Sequence, residues 1–340
     1  MEYDNKNIIV IDNGTNSIKC GFSGEKAPRS EFPNVVGKRR QFCGMIGDNN
    51  ILNQKFIGRK FVDKQKSLRL LSSYPVENGM IVNYDAMEEV LDNIFNNELK
   101  VNPKEISVLC SQPINNPKSN REKLTQIMFE TFEVAGFDLG IQPELCLYAS
   151  GNLSGMSCDF GESFNYFVPV SDGKMIYSKN SKLPQGGKEV TLYLEKMLNK
   201  KGIDLSIKND IKDLSKIKED LCYIAYDLDK EIDRYNKGII KDIEYKMPDG
   251  QVINIGSERF LCPDILFVPS RFETEIPGGA DSIFDTIMSL DEEIRKDVFS
   301  NIFISGGNSL FAGFKERLTK ELKCLSAKKL TDKLKVISIL

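Results

Sequence analysis

Two short D-x-G turns carry the side chains best suited to chemistry. Asp12-Asn13-Gly14 and Asp159-Phe160-Gly161 each sit beside apolar, strand-like sequence, the pattern of a two-lobed protein made from related halves. In the first, a small-residue turn is flanked by an acid and a base. Its backbone N–H groups can cradle a phosphate, Thr15 adds a hydroxyl, Lys19 on the return strand neutralises charge, and Asp12 can face a divalent cation through water. A plain Asn-Gly hairpin would use the same residues. The second turn is followed by another acid, Glu162, and then by an apolar strand, which an ordinary acidic turn also explains. ISGGNSLFAGF, residues 304–314, runs from a strand through Gly306 and Gly307 into a helix, so a flat ligand or a phosphate can approach the backbone closely; a simple turn is the alternative. Lys218 and Glu219 read equally well as a solvated charge pair. No single motif decides the function.

What the chain lacks narrows the choice. It has no His, which removes Ser-His-Asp triads, Cys-His pairs, two-His zinc helices and imidazole proton shuttles. Its 8 Cys are scattered without a C-x-x-C pair, which suits free thiols in a reducing compartment. With 46 Lys plus Arg against 49 Asp plus Glu there is no global basic field, so direct nucleic-acid binding is not expected. No apolar run approaches the roughly 20 residues of a bilayer helix, and MEYDNKN is not a signal-peptide start, so no membrane insertion is expected.

The elements that must position these residues are legible from periodicity. IIVI before Asp12, ISVLC before Ser111, YFVPV after Asn165 and NIFI before Ser305 read as strands. PKSNREKLTQIMFETF reads as a helix with Leu124, Ile127, Met128 and Phe132 on one face and a Ser119/Glu122 capping box. A second helix follows Gly187, with Val190, Leu194, Met197 and Leu198 as its stripe and Gly202 as its stop. A third carries Ile217, Leu221, Ile224 and Leu228, and a last one Phe314, Leu318, Leu322 and Leu325. Residues 47–67 read as a polar, loop-rich excursion. The class is α/β, and 340 residues with 41% apolar content allow about two domains.

Seven blocks, in order, resemble actin and actin-related proteins: VIDNGTNSIKCGFSGEKAPRSEFPNVVG, YPVENGMIVNYDAMEEV, NPKSNREKLTQIMFETF, LYASG, IKEDLCYIAYD, PDGQVINIGSERFLCP and IRKDVFSNIFISGGNSLFAGF. The resemblance implies a two-lobed actin-like ATPase fold of duplicated ribonuclease-H-like domains in four subdomains, with ATP or ADP and Mg²⁺ in a central cleft. It implies a first lobe over residues 1–149, with a loop-rich subdomain over about 34–74, and a second over 150–340, with an inserted subdomain over about 186–274. It further implies that Asp12, Gly14, Thr15, Asn16 and Lys19 form one phosphate loop, and that Asp159, Gly161 and Glu162 form the other. Asp12 and Asp159 would hold the water shell of Mg²⁺, and Gln142 would orient the attacking water. Gly187, Lys218, Glu219, Gly307, Leu310 and Phe311 would meet adenine and ribose.

Departures from the family pattern shape the expected activity. Asn16 takes the place of a glycine, where its tolerance of left-handed backbone makes it mild. Phe160, Glu162, Ser163 and Phe164 replace smaller residues, predicting strain at position 163 and crowding of the loop amides. Tyr166 and Asn78 stand where the family has histidines, the first beside the lytic water. Nucleotide binding with slow or absent hydrolysis follows as the expectation, and at most a slow ATPase. Met45-Ile46-Gly47 resembles the loop tip that docks on the next filament subunit, whereas RFETEIPGG puts Arg271, Glu273 and Glu275 in the family's apolar plug, against conventional self-polymerisation. The chain stops at KLKVISIL, short of the family's C-terminal return to the first lobe, as a divergent short form or an incomplete sequence would; a natural end there predicts reduced stability or dependence on a partner.

The implied role is a subunit of a cytoskeletal filament or of a fixed actin-related assembly, cytoplasmic, in contact with other actin-like subunits or actin-binding proteins. The alternatives are a non-polymerising nuclear subunit of a chromatin complex and, further off, an enzyme of the sugar kinase and chaperone ATPase superfamily.

Overall fold

The computed structural model describes residues 7–39, 54–203, 211–247, 250–326 and 334–339. Met45-Ile46-Gly47 lies outside the described residues. The chain divides into two units, residues 1–142 and 143–340.

Alternation explains the first strand of the first unit. In β1 (Ile8–Asn13) the side chains of Ile9 and Ile11 are buried and Val10 between them is exposed, the period of two of a pleated strand. It forms a hairpin with β2 (Ser17–Phe22), which pairs in turn with β3 (Ser30–Pro33). A small sheet of β4 (Val36–Lys38), β5 (Lys55–Ile57) and β6 (Leu71–Ser73) carries the helix Arg59–Leu68. A two-residue hairpin joins β7 (Val76–Glu77) to β8 (Met80–Ile81). Then β9 (Ser107–Gln112) and β10 (Gly136–Ile141) run parallel to β1, giving the order β10-β9-β1-β2-β3.

The second unit repeats this plan. Its hairpin is β11 (Gly155–Phe160) with β12 (Asn165–Ser171), flanked on the antiparallel side by β13 (Lys174–Met175) and β14 (Ser181–Leu183). A separate ribbon of β15 (Ile243–Lys246) and β16 (Val252–Ile255) intervenes. Finally β17 (Asn301–Ser305) and β18 (Lys335–Ser338) run parallel to β11. A helix supplies each crossover that parallel pairing needs: Lys118–Gln126, continuing through Thr131, between β9 and β10, and Phe314–Leu325 between β17 and β18. Each unit has its own core, one built on Ile9, Ile11, Met87, Phe95 and Val108, the other on Phe160, Phe167, Leu194, Ile283 and Phe314.

Four sequence readings need correction. The helix in PKSNREKLTQIMFETF begins at Lys118 behind Pro117, so Ser119 lies inside it and caps nothing; Glu122 pairs with Lys118 instead, at 3.4 Å. The third helix is two: Ile211–Leu221 and Leu228–Asn236. Between them Tyr223 and Ile224 donate their N–H groups to Arg259 and Ala312, and the Asp227 carboxylate caps the second helix at Lys230 N. Tertiary pairing overrides the helical spacing there. Part of the 47–67 excursion is ordered, because Phe56, Phe61, Val35 and Leu70 build a satellite core too small to show in the composition. The Asn-Gly signal acts elsewhere than at Asn13-Gly14: Asn78 (φ 52°) and Gly79 (φ 77°) both take the positive φ of a type I′ turn between β7 and β8. The Gly187–Lys200 helix follows its predicted stripe and stops at Gly202, which has φ 81°.

Candidate functional site

In the first unit, three parallel strands deliver polar side chains at their C-terminal ends, the end of an open α/β sheet that binds ligands. Asp12 comes from β1. Ser111 comes from β9, where Ile11 is in register with Cys110, so the next residues of the two strands meet. Gln142 follows β10 and opens the helix Gln142–Ala149, with Pro143 in its first turn. Ser111 Oγ donates to Asp12 Oδ1 at 2.8 Å and accepts the Asn13 N–H at 3.0 Å. Gln142 Nε2 donates to the same carboxylate oxygen at 3.3 Å. Lys19 lies opposite Asp12 in the hairpin register.

The loop after Asp12 is clamped through its carbonyls. Buried Asn34 donates from Nδ2 to Gly14 O at 2.8 Å and to Asn13 Oδ1 at 3.3 Å, while its own N–H bonds to Asn16 O at 2.9 Å. Thr15 Oγ1 accepts the Gly79 N–H at 3.0 Å. Among the described residues the amides of Gly14, Thr15 and Asn16 have no protein acceptor, so the loop holds a row of donors for an anion. A Cβ on Gly14 would lie 2.6 Å from Ser17 O, which explains the glycine by close approach. Asn16 does not take left-handed backbone, so the tolerance expected of it is not used.

In the second unit Asp159 pairs in register with Ser305 on β17 and with Tyr166 on β12. Ser305 Oγ donates to Asp159 Oδ1 at 3.3 Å, backed by the Cys146 thiol at 3.5 Å. Burial raises the Tyr166 phenol pKa, and the Asp159 charge adds to that. Gly161 O accepts the Gly187 N–H at 3.0 Å and Asn308 Nδ2 at 2.7 Å; Glu162 O accepts the Lys188 N–H at 2.9 Å. The amides of Glu162 and Ser163 have no protein acceptor among the described residues.

Close backbone approach makes two glycines, Gly306 and Gly186, necessary here, and side chains crowd a third. A Cβ on Gly306, at φ 86°, would lie 2.4 Å from Phe160 O, and one on Gly186 would lie 2.2 Å from Glu162 O. One on Gly187 would lie 2.4 Å from Glu162 Oε2 and 3.0 Å from Lys218 Nζ. Lys218, 4% exposed, bonds to Gly187 O at 2.9 Å and pairs with Glu162 Oε2 at 3.4 Å.

The structure thus brings together Asp12, Gly14, Thr15, Lys19 and Gln142 in one unit, and Asp159, Gly161, Glu162, Gly187 and Lys218 in the other. Gly307 faces open space, Leu310 and Glu219 are exposed, and Phe311 is half-buried. Sequence reasoning missed Ser111, Ser305, Asn34 and Asn308. The feared distortions of the second loop are largely absent. Ser163 has no positive φ, and Phe160 turns into the core, with ring centroids 4.6 Å from Phe314 and 5.4 Å from Phe167. Phe164 lies under Lys182, whose Nζ is 3.5 Å from the ring centroid. The plug charges are partly compensated, since Arg271 reaches Asp229 at 3.2 Å and buried Asp264 at 4.0 Å.

Unpartnered loop amides, a lysine on the return strand and a strand-end carboxylate suit a polyphosphate with a hydrated divalent cation. The Actin family model matches residues 3–216 and 212–339. Actin-related protein 2 of Arabidopsis thaliana is 37% identical over 324 residues, which cover 94% of this chain and 82% of that protein.

Proposed function

The chain belongs to the actin and actin-related protein family, and from that premise we propose that it is an ATP- or ADP-binding structural subunit that hydrolyses ATP slowly or not at all. The observation that carries this reading is the repeated half-site. Each unit carries an aspartate next to last in a hairpin strand and follows the strand with a glycine-containing loop whose carbonyls are tied down and in which two or three amides have no protein acceptor among the described residues.

In the first unit the Gly14–Asn16 amides would bind phosphate oxygens, with Lys19 offsetting their charge and Asp12 holding the hydration shell of Mg²⁺; in the second, the Glu162–Ser163 amides and Asp159 would serve in the same roles. When bound, such an ion would supply charge neutralisation for the phosphates. Lys218, Glu162 and Gly187 form the wall for the nucleoside, joined by Glu219, Gly307, Leu310 and Phe311. Gln142 points its amide N–H at Asp12, leaving its carbonyl oxygen to orient a water. Tyr166 supplies no base near neutral pH, because its phenol pKa is raised above 10.0. A water held by Gln142 therefore lacks an imidazole to complete its alignment, and loss of one positioned group costs on the order of a hundredfold in rate.

The assembly role favoured is a fixed actin-related complex in the cytoplasmic cytoskeleton, in contact with other actin-related subunits. Arg271, the Tyr193 hydroxyl on Phe272 O at 2.6 Å and Thr274 on Pro269 O at 2.9 Å hold the loop against its own unit. Sedimentation of the purified chain with Mg-ATP tests this. The account expects no pelleting at any concentration and co-purification as one copy in a complex; pelleting above a critical concentration would make it a polymer subunit.

A further inference from the structure

We infer that Ser111 and Ser305 are positioning residues that hold the two site aspartates for a hydrated divalent cation, an inference that rests on the nucleotide reading above. The argument is the repetition. Each serine stands at the C-terminal end of the strand parallel to the one carrying the aspartate, at the same place in the sheet order of its unit. Each donates its hydroxyl to Oδ1 of that aspartate, at 2.8 Å for Asp12 and 3.3 Å for Asp159. Little in the local sequence links the two, SVLCSQ against NIFIS, yet the contact is the same.

A carboxylate at a strand end rotates about χ2 unless one oxygen is held. Ser111 pins Oδ1 together with Gln142, which fixes the direction of Oδ2, and among the described residues Asp12 Oδ2 has no protein partner. Ser111 also accepts the Asn13 N–H, so the loop that binds phosphate and the carboxylate that faces the cation are set by one hydroxyl. Among the described residues Ser305 is itself supported only by a thiol at 3.5 Å, a weaker donor, and its own bond is longer. The two positions should therefore differ in strength.

Outer partners of this kind set metal affinity by about 10–100-fold. The test measures binding of a fluorescent ATP analogue to the full chain in EDTA, and then the Mg²⁺ concentration needed to tighten it. Ser111→Ala should weaken the apparent Mg²⁺ affinity about tenfold, a larger loss than it causes in nucleotide affinity in EDTA; Ser305→Ala should weaken it about threefold. Ser111→Thr, which keeps the hydroxyl, should restore it. Unchanged Mg²⁺ affinity in Ser111→Ala would overturn the inference, as would equal losses with and without Mg²⁺ or failure of Ser111→Thr to rescue. If the unaltered chain binds no nucleotide in EDTA or in Mg²⁺, the nucleotide reading itself falls and takes this inference with it.

Discussion

The two half-sites share a topology but hold their loops differently. The first is fixed by side chains outside it: Asn34 grips two loop atoms, and Ser111 with Gln142 grips Asp12. The second relies more on close backbone approach, with Gly186 and Gly306 each lying where a Cβ would meet backbone, and is held besides by Asn308 on Gly161 O and by the ion pair of Lys218 with Glu162. A duplicated fold preserves the strand ends and the aspartates, while each copy finds its own way to freeze a loop. The difference predicts which changes each half tolerates.

The largest effect should come from backbone space in the second half. Gly306→Ala should destabilise by about 3 kcal/mol or more, combining positive φ with a collision at Phe160 O, whereas Gly307→Ala next to it should stay within about 0.5 kcal/mol. Urea unfolding midpoints of the two variants decide this, and similar values would remove the close-approach argument. The second unit also buries a carboxyl, Asp264. Burial pushes its pKa from 3.8 up to about 6, outweighing Arg317 at 3.4 Å. The folded state then keeps its proton longer than the unfolded chain as pH rises. Stability from this group is present below about pH 4 and is lost by about pH 6, a change of about 3 kcal/mol. Asp264→Asn should flatten that fall in a series of melting curves from pH 4 to 7; an unaltered slope would mean another group carries it.

Much of the site was legible because its motifs are local. The D-x-G turns stand out in short stretches, whereas Gln142 and Lys218 gain a role only through the resemblance to the family. Ser111 and Ser305 do not stand out, since a serine at a strand end acquires meaning only from the parallel register that brings it to an aspartate. Asn34 and Asn308 are hidden for the same reason: each serves a carbonyl far away in sequence. Phe160 misled in the other direction, because its bulk enters the core instead of the loop. The helix Arg59–Leu68 escaped notice because, among its described side chains, Phe61 alone is fully buried.

Smaller effects sharpen the contrast between the halves. Asn34→Ala removes the clamp of the first loop and should cost about 2 kcal/mol; Asn308→Ala, which breaks a single bond in the second, should cost about half that. Nucleotide dissociation rates from the two variants should follow the same order, and the reverse order would place the main anchor in the second half. Tyr166→His should speed hydrolysis by about tenfold while leaving nucleotide affinity within a factor of about two, a gain below the roughly 10²–10⁴-fold of a fully positioned acid–base group because the other departures of the loop remain. No gain would mean that the missing imidazole is not what limits the reaction.

The central claim is that the chain holds a nucleotide better than it cleaves one. Single-turnover release of γ-phosphate from the unaltered chain preloaded with Mg-ATP, beside a conventional actin under the same conditions, tests it most directly. The account predicts retained nucleotide and a rate lower by about a hundredfold or more; release at the rate of the conventional actin would contradict it.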